Sequence, residues 1–319
     1  MFKALLLDTS ALDTEILKQV NTHVFQSFTE INIRCITQNI DLNELTHFIS
    51  DSPFQKDEFL LISNQSSILE EAQAQGIFCL GYCPNLQFLP TKYCIEDLEA
   101  LDVAYLKLLW CRFRHLPYKI VTTRHLVIRE LSGTDLKDLY NVFQEPEIKH
   151  FLPEEPDDLE DFIQKYSAYI KHEYTFYEYG MWGVFHKETD KLIGLCGFHA
   201  EEIEGTDEIT VGYMLSKSYT KKGLGKEMVR AVVRYGIRHF DFSRIIAKIS
   251  SDNTKSQNLI KACSFNYLRS ITQNHISYEL YEYIPKGKQL ITSTKDASQR
   301  AFLDYQKHPD TSVYGKRYH

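Results

Sequence analysis

The stretch Tyr219-Thr-Lys-Lys-Gly223-Leu-Gly225-Lys-Glu constrains this chain more than any other. It follows a segment read as a strand, Glu208 to Leu215, and leads into a helical pattern ending near His239. The apolar face of that helix is Met228, Val229, Val232, Val233 and Ile237. A glycine-rich turn from strand to helix presents backbone N–H groups at the helix N-terminus, where phosphate oxygens bind. Lys217, Lys221, Lys222 and Lys226 add positive charge around it. Two standard phosphate loops are excluded. A Walker A loop needs glycine at position 220 and Ser or Thr after Lys226, but threonine and glutamate stand there. A dinucleotide fingerprint needs glycine at position 228, which is methionine.

Upstream of the turn, Leu126 to Leu131 reads as a strand, and Thr134 to Phe143 and Leu159 to Tyr169 read as amphipathic helices. Trp182 to His186, Leu192 to His199 and Glu208 to Leu215 make three strands at hairpin-like spacing. The N-terminal part has a different rhythm. Phe2 to Leu7 is an apolar run ending on Asp8, Glu58 to Asn64 is a second strand, and Ile77 to Cys83 a third. A helical pattern from Ser67 to Gln75, stopped by Gly76, separates the last two. Strands alternating with helices predict an open α/β sheet with ligands at the carboxyl ends of its strands. Ile95 to Arg114 reads as an amphipathic helix through Leu98, Leu101, Tyr105 and Leu108. Pro117 then disfavours helix in the residue before it. These signals predict domains at 1–118 and 119–284, with a polar tail at 285–319 carrying a short helix around 297–306.

Charge excludes some functions. With 36 basic against 43 acidic residues, net −7, no global basic field recruits nucleic acid. Most of the excess lies in residues 1–119, which hold nine basic and fifteen acidic side chains. No apolar run approaches the roughly 20 residues that span a bilayer, so no membrane association is expected. The opening Met-Phe-Lys-Ala-Leu-Leu-Leu-Asp is too short for a signal peptide. Seven scattered cysteines read as reduced thiols in a cytoplasmic protein. Cys79 and Cys83 have nominal zinc spacing, but on one extended strand they lie about 13 Å apart, so buried thiols are expected and no metal. Oligomerisation is left open.

Four ordered motifs carry a family resemblance over about residues 120–283. Thr123-Arg-His-Leu126-Val-Ile-Arg129 resembles a T-x-R-L-x-L-R opening, with His125 in the arginine place. Gly180-Met-Trp182-Gly-Val184 followed by Lys191-Leu-Ile193-Gly194 resembles a W-x-V…I-G hairpin. Gly212-Tyr213 through Glu227 matches G-Y-x-L-x-x-x-Y-x-x-K-G-x-G/A-x-E without a gap. Asn253-Thr-Lys-Ser256-Gln-Asn-Leu259 followed by Ser264-Phe265 resembles N-x-x-S-x-x-L…G-F. The region is similar to the GNAT superfamily of acyl-CoA N-acyltransferases, in its RimJ/RimL-type branch. That resemblance implies a mixed sheet with two splayed strands, acetyl-CoA as co-substrate and an amine acceptor that attacks the thioester directly. It implies cofactor contacts from Met214 and Leu215 at the strand end, from Lys221, Lys222, Gly223, Leu224, Gly225 and Lys226 in the turn, and from Asn253 and Ser256.

The amine must lose a proton, which asks for a base near the splay. The family's usual glutamate position is Thr210, and the tyrosine that many relatives use beside the leaving thiolate is Ile260. Glu208, two residues before Thr210 on the same strand face, is the first candidate base and His199 the second. Ser256 is retained as a candidate at the sulfur end. Two acidic groups, Glu154 to Asp161 and Glu201 to Glu208, would attract a cationic amine. A non-catalytic acyl-CoA-binding regulator is the second reading.

The N-terminal segment resembles a haloacid dehalogenase-like phosphatase domain, a Rossmann-like α/β fold, with Asp8 at its nucleophile position. Its acid/base place is Ser10, and its metal-binding aspartates fall on Asn64 and Ile68. An amide and an isoleucine cannot supply the hard carboxylates magnesium wants. The resemblance therefore implies a degenerate shell, and a residual phosphotransferase on Asp8 is the third reading.

Overall fold

The computed structural model describes residues 2–285 apart from 11, 13, 21–24, 31, 41, 86, 100 and 153–157. The predicted polar tail and its short helix lie outside the described residues. The chain divides into two compact units at the step from Leu116 to Pro117.

In the first unit, β1 (Ala4–Asp8), β2 (Arg34–Gln38), β3 (Phe59–Ser63), β4 (Phe78–Tyr82) and β5 (Cys94–Ile95) form one sheet in the order β2-β1-β3-β4-β5. Each neighbouring pair is parallel. The connections carry α1 (Thr14–Gln19), α2 (Phe25–Thr29), α3 (Leu42–Ser50) and α4 (Ser66–Ala74), and α5 (Val103–Phe113) follows β5. Parallel sheets need cover on both faces, and β1 meets that need by alternation. Leu5 and Leu7 enter a core with Phe28, Leu106 and Leu109, while Ala4 and Leu6 face Leu45, Ile49 and Leu69. This is the open, parallel α/β sheet the strand–helix rhythm predicts, with helices on both faces.

The helix predicted over Ile95 to Arg114 is shorter. Ile95 pairs with Tyr82 in β5, and the helix starts only after Asp102, whose carboxylate accepts from Ala104 N at 3.1 Å. Leu98 and Leu101 are buried from irregular chain, so their helical spacing reflects a shared core and not a shared helix. Ile68 is buried on α4 and cannot face a metal. Asp8, 3% exposed, accepts from Ser63 Oγ at 2.6 Å, Ser10 Oγ at 2.7 Å and Gln65 Nε2 at 3.0 Å. Cys79 and Cys83 are buried and donate to the carbonyls of Ile77 and Ile95. Burial pushes their thiols up to about 12 and about 11, so neither is a ready thiolate.

The second unit is built on eight strands in the order β12-β13-β11-β10-β9-β8-β7-β6. These are β6 (Lys119–Thr122), β7 (Leu126–Arg129), β8 (Met181–His186), β9 (Leu192–Ile203), β10 (Thr206–Leu215), β11 (Ile245–Ser250), β12 (Asn266–Gln273) and β13 (Ile276–Tyr283). Between β7 and β8 come α6 (Leu136–Phe143), α7 (Pro146–Lys149) and α8 (Leu159–Tyr177). α9 (Leu224–His239) crosses from β10 to β11, and α10 (Thr254–Ala262) follows β11. Every pairing is antiparallel except β10 with β11, which run parallel because α9 is their crossover. Met228, Val229, Val232 and Val233 of α9 pack into one core with Trp182, Phe198 and Val211 of the sheet.

One ion pair fastens the β7–α6 corner. Arg129 donates from both terminal nitrogens to Asp135, each at 2.8 Å, and Ser132 Oγ reaches the same carboxylate at 2.6 Å. Burial alone would raise the Asp135 carboxyl, but the Arg129 and Ser132 hydrogen bonds outweigh it and hold the group below its ordinary value. A lowered folded value gives stability that is complete above the unfolded carboxyl's value, about 4, and is lost as pH falls through the folded one. Asp135→Asn is expected to cost about 2–3 kcal/mol near neutral pH. The urea midpoints of the two proteins should converge on acidification; a constant gap would assign the cost to packing.

Candidate functional site

The site begins with a break in the sheet. β10 and β11 are paired in register only at Thr210 and Ile246, whereas the β9–β10 ladder continues through Leu215. Beyond Thr210 the two parallel strands diverge. Gly212, Tyr213, Met214 and Leu215, in mid-sheet, are consequently half-exposed. The free edge of Met214 and Leu215 thus offers backbone groups to anything entering the gap.

Below the gap lies the glycine turn. A single 3₁₀ turn at Lys217–Tyr219 follows β10, and the chain then passes through two left-handed residues, Lys221 at φ 61° and Gly223 at φ 80°. Gly223 is the N-cap of α9 and has no side-chain cap. A Cβ on it would meet nothing within 4 Å, so the turn is open to a ligand. Glu227 is the first α9 residue whose N–H bonds back to Gly223 O, at 3.1 Å, which leaves the preceding amides at the positive end of the helix. Leu224 is buried, so only its backbone can serve a ligand, while Lys221, Lys222 and Lys226 are exposed. Gly225 lets α10 approach: a Cβ there would stand 3.1 Å from Leu259 Cδ2.

The turn is anchored from the opening strand of the unit. Glu227 accepts from His125 N at 2.9 Å and lies 2.8 Å from His125 Nδ1. His125, in the arginine place of the opening motif, is therefore in direct contact with the glutamate that closes the turn motif. Across the gap, Asn253 caps α10 by accepting from Ser256 N at 3.0 Å. Tyr213 donates its hydroxyl to Ser256 O at 2.9 Å, which ties the free edge of β10 to the start of α10. The structure thus brings together Met214, Leu215, the 221–226 turn, Asn253 and Ser256.

It does not bring Glu208 there. Glu208 lies two residues before Thr210, which makes the single rung between β10 and β11, and Arg244 Nη2 donates to its Oε1 at 2.8 Å. Burial pushes its carboxyl up, against the pull of Arg244 and Arg269. The structure thus places Glu208 in a largely buried ion pair with Arg244. Thr210 is buried and donates to His199 O at 3.1 Å. His199 instead occupies the open side. It pairs with Thr210 in register, and a Cβ on Gly212 would stand 3.5 Å from its Cε1. Its Nε2 is 3.7 Å from Glu201 Oε2. Glu201 in turn receives Lys248 Nζ of β11, itself 3.1 Å from Gln273 Oε1. Glu173 of α8 lies within electrostatic reach of His172 and His199, and burial raises its carboxyl. Glu173 and Lys248 escaped the sequence reading.

Part of the expected acidic field is tied up in ion pairs. Glu154 to Asp157 lie outside the described residues. Asp158 caps α8 through Glu160 N and Asp161 N. Glu201, Glu204 and Glu208 are paired with Lys248, Arg269 and Arg244. Among the described residues no group of three or more His, Cys, Asp or Glu could hold a metal ion, and no helix is long and apolar enough to cross a membrane.

Comparison with known proteins gives a consistent frame. The family profile described as acetyltransferase (GNAT) domain matches residues 125–266. The uncharacterised N-acetyltransferase p20 of Bacillus licheniformis is 27% identical over 147 residues, 45% of this chain and 80% of that protein. The uncharacterised N-acetyltransferase YoaA of Bacillus subtilis is 26% identical over 152 residues, 46% and 83% of the two chains. Among solved structures, the ribosomal-protein-S5-alanine acetyltransferase of Vibrio fischeri aligns at 19% identity and TM-score 0.44, over 55% of this chain and 99% of that one.

Proposed function

We propose, for a chain whose C-terminal unit carries a GNAT acetyltransferase domain and which is an acyltransferase, that it transfers acetyl from acetyl-CoA to a primary amine. The observation that carries this reading is the single rung between β10 and β11 above an open, uncapped glycine turn. In this arrangement the pyrophosphate would meet the amides from Lys222 to Lys226, and the pantetheine would pair with Met214 and Leu215. Asn253 and Ser256 would border the sulfur end. His199 would take the amine's proton, with Glu201 Oε2 3.7 Å from its Nε2. An N–H of the free β10 edge would receive the oxyanion. The acceptor class extends from protein N-termini to small amines, because acceptor elements vary freely on a given fold. The first unit we read as a dehalogenase-like shell whose Asp8 network serves structure.

A second reading, an acyl-CoA-binding regulator without catalysis, draws on one observation: Ile260, at the position of the relatives' tyrosine, is fully buried. Calorimetry with acetyl-CoA separates cofactor binding from catalysis. Wild type is expected to bind at micromolar affinity, and Gly223→Glu to bind at least about tenfold more weakly, because a carboxylate then stands where the pyrophosphate approaches. Absence of binding by folded wild type would sink both readings. Binding without CoA release on any amine of a broad panel would leave the regulator.

A further inference from the structure

The solvent face of α9 carries one sign of charge. Lys226, Arg230, Arg234 and Arg238 recur every fourth residue, and all four are exposed. At 1.5 Å per residue they make a row with a step of about 6 Å and a length of about 18 Å. Together α9 and its neighbour α10 hold six lysines and arginines and one carboxylate, Glu227. His125 already engages that carboxylate. Among the described residues no carboxylate is paired with any member of the row. Arg230 Nη2 donates to Ala262 O at 2.9 Å, which steadies its guanidinium at the end of α10.

Such a row does nothing for the fold. Like charges four residues apart on a helix repel, and three such pairs follow one another here. The helix is held by its other face, through Met228, Val229, Val232 and Val233. At its C-terminal end the row meets an aromatic step. His239 is exposed, and its ring stacks on Tyr235 with centroids 4.2 Å apart and 28° between the planes. Tyr235 in turn meets Trp182 and Phe240 edge-on at 5.6 and 5.7 Å, so the exposed ring rests on a rigid base.

We propose that this face of α9 is a docking track for single-stranded nucleic acid, with phosphates on Arg230, Arg234 and Arg238 and a base stacked on His239. Guanidinium groups bind phosphate oxygens in bidentate pairs. A basic track beside an exposed ring is the combination that holds unpaired bases. α9 is packed along the sheet by its apolar face, so it cannot enter a duplex groove as a free helix does. An anionic membrane would ask for apolar side chains beside the cations, and those of α9 are buried. The chain's net charge of −7 supplies no long-range attraction, so the contact is local and weak. Lys226, at the near end of the row, adjoins the glycine turn and is left to it. The track stands independently of the acetyl-CoA reading.

The test is fluorescence anisotropy of a labelled 12-nucleotide oligouridylate with the full chain, between 50 and 200 mM salt. Wild type should bind at roughly 10–100 µM in 50 mM salt and roughly twentyfold more weakly in 200 mM, the slope of about −2 that three phosphate contacts give on a single strand. Arg230→Gln/Arg234→Gln/Arg238→Gln should bind at least about tenfold more weakly, with a slope near zero. His239→Ala should lose about fivefold. These side chains are exposed and the arginine changes relieve repulsion, so thermal melts should place both variants no lower than wild type. Absence of binding by wild type in 50 mM salt overturns the track, and so does binding that survives the triple substitution. Loss in Lys221→Gln/Lys222→Gln with the arginine variant unaffected would move the strand to the glycine turn. A 12-base-pair duplex or polyglutamate that binds as tightly as the oligonucleotide overturns the assignment to an unpaired strand.

Discussion

His199→Gln is expected to lower kcat about a hundredfold or more, with acetyl-CoA affinity unchanged. The imidazole stands on the open side of β10, beside the point where that strand leaves β11, and Glu201 lies 3.7 Å from its Nε2. On the acetyl-transfer reading proposed above, an amine entering from this side would lose its proton as the C–N bond forms, and a nearby base would remove it without a separate encounter. Glutamine keeps a polar side chain of similar reach and cannot take the proton. Two readouts distinguish catalysis from support: kcat falls while the calorimetric affinity for acetyl-CoA holds, and Glu208→Gln leaves kcat within about threefold of wild type. If Glu208→Gln lowers kcat about a hundredfold and His199→Gln does not, the assignment is reversed.

Gly197→Ala should be the most damaging single methyl in the second unit, at about 3 kcal/mol or more. Its Cβ would stand 1.9 Å from Gly180 O and 2.7 Å from Met181 Cα, both backbone atoms. Neither can yield cheaply. Gly180 O accepts from Phe198 N at 3.1 Å, and Met181 N donates to Tyr169 Oη at 2.6 Å. Gly197 also pairs with Gly212 on the other side, so a displaced β9 would carry the clash into β10. Denaturant unfolding should show a lower midpoint with an unchanged slope. A midpoint within about 0.5 kcal/mol of wild type would mean that the three strands slide freely past one another here.

Much of this architecture was legible because apolar alternation is a local property. The runs Phe2 to Leu7, Glu58 to Asn64 and Ile77 to Cys83 fall on β1, β3 and β4, and the strand–turn–helix order around Gly223 is preserved. What stayed hidden depended on distant partners. Period-two alternation puts Glu208 on the face of Thr210, but nothing local announces Arg244, 36 residues downstream, which bonds its carboxylate. Leu98 and Leu101 kept helical spacing without a helix, because a core accepts side chains from irregular backbone as readily. β2 went unassigned, since no residue of Arg34 to Gln38 is fully buried and the segment has no apolar alternation to display.

The lone rung at Thr210 and Ile246 makes the eight-stranded sheet two leaves on a narrow spine. Backbone groups of each leaf face the gap, so a guest with amides of its own, lying between the leaves, would supply missing rungs and act as a strand. Recognition and cohesion would then draw on the same hydrogen bonds. The loaded unit should melt as a single block at a temperature set by ligand concentration, and in the empty one the amides along the gap should exchange with solvent long before the leaves themselves open.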